Sequence, residues 1–323
     1  QMCIRDRILG KKEDAEYYGQ LRRTVGDAFR REYITATGRL VSETQTACVL
    51  VLHFGLAGEE HRGRIMEALV KNIAAHKEHL STGFMGTPYL CHVLSENGQH
   101  ELAGRIFRQE DYPSWLYSVK MGATTIWERW NSILPDGSFD ESGMNSLNHY
   151  AYGSIEEWMY RKLAGINQLE PGFRRIQIKP MPVKGITRAK ASLKSAYGML
   201  ECAWICENGK FTVDLHIPVN TRAEVYLPEK DEMLELGSGS YHYVYDTTLD
   251  LTADRFSTES TLGQILQEPA AVEMLEGLAP GMLDNPMIGF AKNMSIGELS
   301  GQMPPEGKAL FEAVITMLNE NEG

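Results

Sequence analysis

A single carboxylate stands between two indole rings in Trp127-Glu128-Arg129-Trp130, and the polar segment that follows closes on Asn148-His149-Tyr150. A carboxyl group crowded by aromatic rings is partly desolvated, which disfavours its charged form. Reactions that need an acid or base near neutral pH use that device. Aromatic faces also suit carbohydrate, because they cover the C–H face of a sugar while carboxylates accept from its hydroxyls. The same residues equally make a structural cluster, with Glu128 paired to Arg129 or another cation beside packed tryptophans. Residue chemistry alone leaves both readings open. His149 stands just ahead of a helix start and reads either as a packed, hydrogen-bonded structural residue or as a catalytic one.

Other groupings carry less. His76-Lys77-Glu78-His79 places two imidazoles on one helical face. No third ligand is evident, zinc sites want tighter spacing and further partners, and the surrounding charges fit a solvated face. Cys91-His92 lies in an apolar helix and reads as core. The segment "PDGSFDESG" is a solvated loop of the kind that rims active sites. There is no phosphate loop, dinucleotide fingerprint or Gly-x-Ser-x-Gly elbow.

The elements that must position these residues belong to a chain of 323 residues, long enough for two or three domains. A formal net charge of −11 without a basic stripe argues against a nucleic-acid surface. No apolar run reaches the length of a membrane span, and "ACVLVLHFGLAG", broken by His53, reads as a buried helix. Five cysteines in a chain this long are not a disulfide scaffold, which favours a reducing compartment. Cys202 and Cys206 fall on one face of an alternating segment, too far apart to bond, and read as core thiols. The opening "QMCIRDR" resembles the translation of a transposase adaptor used in preparing sequencing libraries, and is expected to lie outside the fold. On that expectation the chain is the C-terminal part of a longer protein.

Up to about residue 168 the pattern is helix after helix. Residues 11–32 carry Tyr17, Leu21, Val25 and Phe29 at a period near four, an amphipathic helix. Ser42-x-x-Gln45 predicts a capping box ahead of the next helix, and Ser154-x-x-Glu157 another ahead of "IEEWMYRKLAGI", which stops near Gly165. "EEHRGRIMEALVKNIAAHKEH" is a helix with Ile65, Leu69 and Ile73 as its stripe; "GTPYLCHVLSENG" and "HELAGRIFR" form a pair joined at Asn97-Gly98. From about residue 174 the period switches to two in "RRIQIKP", "TRAKASLKSAY", "MLECAWICE", "KFTVDLHIP" and "TRAEVYLP". Five to seven such strands at roughly ten-residue spacing predict an antiparallel sandwich. After "TADRFSTES", a linker, "TLGQILQ", "AAVEMLEGL" and "GKALFEAVITMLNEN" predict a small helical tail.

Four segments, "LSTGFMGTPYL", "DYPSWLYSVKMGATTIWERW", "MNSLNHYAYGSIEEWMYRKLAGI" and "IPVNTRAEVYLP", together resemble the C-terminal half of glycoside hydrolase family 78, the bacterial and fungal α-L-rhamnosidases. The resemblance covers about residues 12–228 in order and spacing. It implies a multidomain fold of helices and strands: a partial (α/α)6 barrel, then an antiparallel β-sandwich, then the tail. The corresponding spans are 8–170, 171–252 and 253–323, with 1–7 the adaptor segment. It implies inverting hydrolysis of terminal α-L-rhamnosides, with Glu128 as general base and His149 hydrogen-bonded to the bound rhamnose. Trp127 and Trp130 then serve as pocket wall or as support behind it, with core packing the equal alternative. An inverting glycosidase needs two carboxyl groups roughly 6.5–9.5 Å apart and no cofactor. The expected partner is a rhamnose-containing glycoside or polysaccharide, with no nucleic acid and no membrane; a homo-oligomer is compatible with the helical tail.

One departure qualifies this. The family's general acid is a glutamate in an upstream Asp-x-x-x-Arg-Asp-Glu segment, which nothing here matches. Only about half the helices of such a barrel fit into residues 8–168. The chain alone is therefore expected to be inactive. The alternatives are a related (α/α)6 glycosidase for another L-sugar, and a non-catalytic carbohydrate-binding or relic protein of the same fold.

Overall fold

A computed structural model describes residues 2–253, 256–257, 260–285, 287–302 and 305–320. Two compact units result, residues 1–251 and 252–323.

The first unit begins with helices α1 (Met2–Ile8), α2 (Lys12–Tyr33), α3 (Gln45–His53), α4 (Glu59–Ala75), α5 (Thr87–Glu96), α6 (His100–Phe107), α7 (Trp115–Lys120) and α8 (Ile155–Trp158). Ile65, Leu69 and Ile73 of α4 are fully buried against Leu90, Val93 and Leu94 of α5 and Val49 and Leu52 of α3, in one apolar core. Trp158 closes this core, wholly buried, with its indole N–H donating to Ser95 Oγ at 2.9 Å.

Helix α3 starts two residues later than its capping pattern suggests. Thr44, not Ser42, is the N-cap, accepting from the Ala47 N–H at 3.3 Å. Gln45 is fully buried and bridges the Ser81 N–H and the His79 carbonyl instead of capping. Ser154 likewise makes no cap; its hydroxyl donates to the Ala151 carbonyl within a 3-10 turn, Ala151–Ser154. After α8 the chain widens into one π-turn, Met159–Leu163, and stops at Gly165, whose φ of +83° suits the residue that ends a helix.

Cys91 and His92 are buried, as an apolar helix implies. The His92 Nε2 has no hydrogen-bond partner among the described residues. Burial pushes this imidazole down to about 4, with Glu157, Arg161, Lys162 and Glu96 the charged groups facing it. The folded chain keeps His92 neutral where the unfolded chain protonates it. Its contribution is therefore complete above pH 6.5 and is lost as pH falls towards 4, about 3 kcal/mol in all. Urea unfolding at pH 7 and pH 4.5 should show a smaller acid loss for His92→Asn than for wild type. Equal losses would sink this assignment.

Eight strands follow: β1 (Ile166–Gln168), β2 (Arg175–Ile178), β3 (Arg188–Ser195), β4 (Gly198–Glu207), β5 (Lys210–Ile217), β6 (Arg222–Tyr226), β7 (Met233–Leu236) and β8 (Gly239–Asp246). They form two four-stranded sheets, β1-β2-β6-β7 and β3-β4-β5-β8, antiparallel except where β2 runs parallel to β6. Alternation decides what is inside: Leu200, Cys202, Trp204 and Cys206 of β4 face Phe211, Val213 and Leu215 of β5 in one core with Ile176, Ile178 and Val225. Cys202 and Cys206 are unbonded core thiols, and burial pushes Cys202 up to about 12. The Trp204 indole N–H donates to the Leu163 carbonyl at 2.7 Å, fastening this core to the last helical turn.

The second unit contains α9 (Leu262–Ile265), α10 (Pro269–Leu278), α11 (Met287–Ala291), α12 (Ile296–Gln302) and α13 (Pro305–Glu320) around Leu262, Ile265, Leu275, Ile296 and Phe311. Thr261 and Gln264 form a true capping box. Residues 254, 255, 258 and 259 of the expected linker lie outside the described residues. No described helix is long and apolar enough to cross a membrane.

Candidate active site

The chain between α7 and α8 has little regular structure, so its own polar residues must shape it. Asp136 accepts from the Ser138 N–H at 2.9 Å and from the Ser138 hydroxyl at 2.6 Å, while Gly137 takes a φ of +82°. This tight turn closes a ribbon bridged at Ile133 and Phe139. Ser114 caps α7, and from that helix Tyr117 donates to the Ile133 carbonyl at 3.1 Å, pinning the ribbon to the helical core. Asp140 then gathers Arg129, Asn131 and the Ser142 N–H; the Ser142 hydroxyl and backbone, with Arg129, hold its carboxyl below the usual range.

The two ends of the segment are thereby laid side by side. The Glu128 N–H donates to the Ser146 carbonyl at 2.8 Å, and the Ser146 N–H donates back to Glu128 Oε2 at 3.1 Å. The His149 N–H donates to the Ile126 carbonyl at 2.8 Å, and the Thr125 hydroxyl to the Leu147 carbonyl. Glu128 and His149, the two polar residues singled out in the sequence, thus sit on adjoining strands of one loop.

Glu128 is half-buried. Its expected partner is absent, because Arg129 turns away to Asp140 at 3.5 Å and to the Ser142 hydroxyl. The reason is local: Asp140 already carries Asn131 and Ser142, and the guanidinium completes that cluster. Among the described residues the Glu128 carboxylate takes only the Ser146 bond, so Oε1 remains able to accept from a water molecule.

His149 has a defined tautomer. Its Nδ1 accepts from the Ala151 N–H at 3.3 Å, so in the neutral ring the proton lies on Nε2, which is left to donate. The ring is stacked on Phe84 at 4.8 Å and 16°, with Tyr150 parallel on the chain side at 5.6 Å. Phe84 meets Tyr152 at 5.3 Å, Tyr152 stacks on Trp130 at 3.8 Å, and Trp130 meets Trp115 edge-on at 5.3 Å. An aromatic column therefore runs from the helical core to the imidazole, and the Trp115 indole N–H donates to the Tyr152 carbonyl at 2.9 Å to hold it in place. Trp130 sits within this column, packed against the core, and Trp127 is buried. Burial pushes the Tyr152 phenol up, aided by Tyr112 and Glu128 and opposed by Arg129.

Phe84, Ser146 and Tyr152 escaped the residue-by-residue reading. Phe84 and Tyr152 stand inside segments that carry the family resemblance, but their contacts are between residues distant in sequence. His76 and His79 bond to the Asn72 and Lys77 carbonyls at 2.8 and 2.9 Å. No group of three or more His, Cys, Asp or Glu among the described residues could hold a metal ion. A cleft of about 810 Å³ lies beside this loop, not at Glu128, between residues 153–161 and 166–173.

Residues 4–163 match the bacterial alpha-L-rhamnosidase 6 hairpin glycosidase domain, and residues 165–241 the bacterial alpha-L-rhamnosidase C-terminal domain. The chain is 40% identical over 237 residues to an alpha-L-rhamnosidase of Formosa agariphila, covering 72% of this chain and 26% of that one. It is 42% identical over 220 residues to one of Streptomyces avermitilis, covering 68% and 21%. It superimposes on the crystal structure of the Aspergillus terreus alpha-L-rhamnosidase with a TM-score of 0.72 at 37% identity, covering 75% of this chain and 28% of that one. For the Streptomyces avermitilis enzyme complexed with L-rhamnose the TM-score is 0.70 at 37% identity, covering 76% and 25%. The chain spans about a quarter of the length of the curated relatives it matches.

Proposed function

Since this chain belongs to the bacterial α-L-rhamnosidase family, we propose that it carries the general-base half of an inverting glycosidase acting on terminal α-L-rhamnosides. The observation that carries this reading is the Glu128 carboxylate, anchored through one oxygen to the Ser146 N–H, on a segment paired with the one that carries His149, whose Nε2–H is left to donate. A carboxylate so held can take a proton from water without losing its position. The water oxygen then bonds to the sugar C1 on the face opposite the leaving group, the C1–O bond to the aglycone breaks, and Glu128 keeps the water proton. His149 donates from Nε2 to a sugar hydroxyl and fixes the ring against that water. Substrates are rhamnose-containing glycosides or polysaccharides, and two carboxyl groups suffice without a cofactor.

The second carboxyl group, which protonates the leaving oxygen, comes from a segment of a longer protein upstream of these residues. Helix α2 supports this. Tyr17, Leu21 and Val25 form a regular apolar stripe yet are 63%, 43% and 56% exposed, as a helix face covered by further barrel helices would be in this chain alone. Purified on its own, the 323-residue chain is expected to show no turnover of an aryl α-L-rhamnoside, while the longer protein turns it over. Comparable turnover by the chain alone would refute the division of labour. A longer protein that binds rhamnose without hydrolysing rhamnosides would leave the non-catalytic carbohydrate-binding reading in its place.

A further inference from the structure

His149 can donate only along the line its ring allows, so whatever orients the ring orients the bond. The pairing with Ile126 holds the His149 backbone, and at the ring itself the Ala151 N–H reaches Nδ1 at 3.3 Å, a long contact. Two rings lie parallel to the imidazole. Tyr150 is 87% exposed and has little to hold it in turn. Phe84, at 4.8 Å and 16°, is backed by the Tyr152 ring at 5.3 Å. It is 39% exposed and stands outside the apolar core of the helices, so burial does not account for its place.

The turn that presents Phe84 is built from buried polar side chains. Gln45, the first residue of α3, accepts from the Ser81 N–H at 2.7 Å through Oε1 and donates to the His79 carbonyl at 3.0 Å through Nε2. Thr82 and Thr87 are buried, and their hydroxyls meet at 2.8 Å. The Thr87 hydroxyl also donates to the Gly83 carbonyl at 2.9 Å, and the Gly86 and Thr87 N–H groups close on that carbonyl at 3.1 and 3.0 Å. A Cβ at Gly86 would lie 2.9 Å from both Thr46 Oγ1 and Thr82 Cγ2, so the turn is pressed against α3 without room for a methyl group. Buried polar groups that have their partners rigidify a structure and select one conformation. The conformation selected here turns an aromatic face to an imidazole rather than to the core.

We infer that Phe84 is a positioning residue for His149: its ring, held by the turn on α3, keeps the imidazole in one plane and so fixes the direction in which Nε2–H is presented. Phe84 itself needs no contact with a ligand. A donor held by its surroundings meets a ligand already ordered, whereas a loose one must be ordered on binding. The ring contact stands on this chain's own geometry; its consequence for turnover rests on the rhamnosidase reading above.

Two measurements test this. In the 323-residue chain with carbon-labelled histidine rings, NMR relaxation reports the motion of each imidazole, and the His149 signals are those missing from His149→Ala. The ring should be as rigid as the backbone in wild type and in Phe84→Tyr, with an order parameter of about 0.85, and should fall below about 0.6 in Phe84→Ala and Phe84→Leu. Phe84→Leu keeps apolar bulk without a flat face, and it carries the test if Phe84→Ala fails to fold. In the longer protein, Phe84→Leu should lower kcat/KM for an aryl α-L-rhamnoside about tenfold, with Phe84→Tyr within about twofold of wild type. Added to His149→Ala, Phe84→Leu should cost less than about twofold more, because a residue that acts through the imidazole has nothing left to position. An imidazole equally rigid in Phe84→Leu would overturn the inference. So would a tenfold loss that persists in the His149→Ala background, which would make Phe84 a direct contact. Ring order lost in Phe84→Leu, with kinetics that His149→Ala leaves unchanged, would uphold the positioning and count against the sugar-contact role of His149 in the rhamnosidase reading alone.

Discussion

Replacing Glu128 with Gln in the longer rhamnosidase is expected to lower kcat about 10³-fold while KM stays within about threefold, the range for removal of a general base. The amide keeps the shape of the carboxylate, and its oxygen can still accept from the Ser146 N–H, so the loop that carries His149 stays in place. What disappears is the capacity of the second oxygen to take a proton from water. A purely structural glutamate would give the opposite pattern. Glu128→Gln would then lower thermal stability with kcat near wild type, because the reciprocal pair of bonds between Glu128 and Ser146 would be the part that mattered. Steady-state kinetics on an aryl rhamnoside, read alongside Tm, separates the two.

Gly165→Ala is expected to be the most damaging single methyl group in the first unit, costing more than about 3 kcal/mol. Gly165 ends the last helical turn at a φ of +83°, and an added Cβ would lie 2.2 Å from the Pro180 nitrogen and 2.3 Å from the Lys179 carbonyl carbon. Both are backbone atoms and neither can swing aside. They are also held there, because the Lys179 N–H donates to the Gly165 carbonyl at 2.8 Å. The junction that seats Trp204 under Leu163 depends on this close approach. Gly137 is the matched control. Its φ is +82°, but nothing lies within 4 Å of its missing Cβ, so Gly137→Ala should cost only about 1 kcal/mol from backbone conformation. Chemical denaturation of the two variants gives the comparison, and equal losses would show that the contact with residues 179–180 is not the cause.

How much of this was legible depended on whether the signal was local. The switch from a period near four to a period of two marks the passage from helices to sheets, and the alternation through Leu200, Cys202, Trp204 and Cys206 places each of these side chains in the core. Three strands lie outside the segments that alternation picks out. β1 and β7 have only three and four residues; β8 alternates tyrosines with polar residues, and their rings are only half-buried. The Ser42 pattern misplaced its helix start by two residues, because several hydroxyl residues can start a helix and packing selects one. Thr44 serves, whereas Ser42 does not. Ser154 holds the N-cap position, but its hydroxyl bonds to the Ala151 carbonyl instead. The α2 stripe was legible as a stripe, but periodicity shows that a face is apolar without showing what covers it.

At the site, the residue types pointed to Glu128 and His149, and the family resemblance gave them roles. The arrangement that supports those roles was not legible. Arg129 is adjacent in sequence to Glu128 and yet bonds to Asp140 and Ser142, because a loop places neighbours by its own turns. Phe84, the ring on which His149 stacks, comes from the approach to α5 and is brought there only by the packing of the helical core. The tautomer of His149 follows from one bond to the Ala151 N–H, which no spacing rule announces.

The most direct measurement of the central claim is anion rescue of Glu128→Gly in the longer protein, with sodium azide and an activated aryl α-L-rhamnoside. If Glu128 normally draws a proton from water on the face opposite the leaving group, azide needs no such help. It should enter the space left by the side chain and bond to C1 as the C1–O bond to the aglycone breaks. The predicted result is turnover restored by azide with β-L-rhamnosyl azide as the product, identified by its anomeric proton in the NMR spectrum. No rescue, or the α-azide, would contradict the assignment of Glu128 as the base.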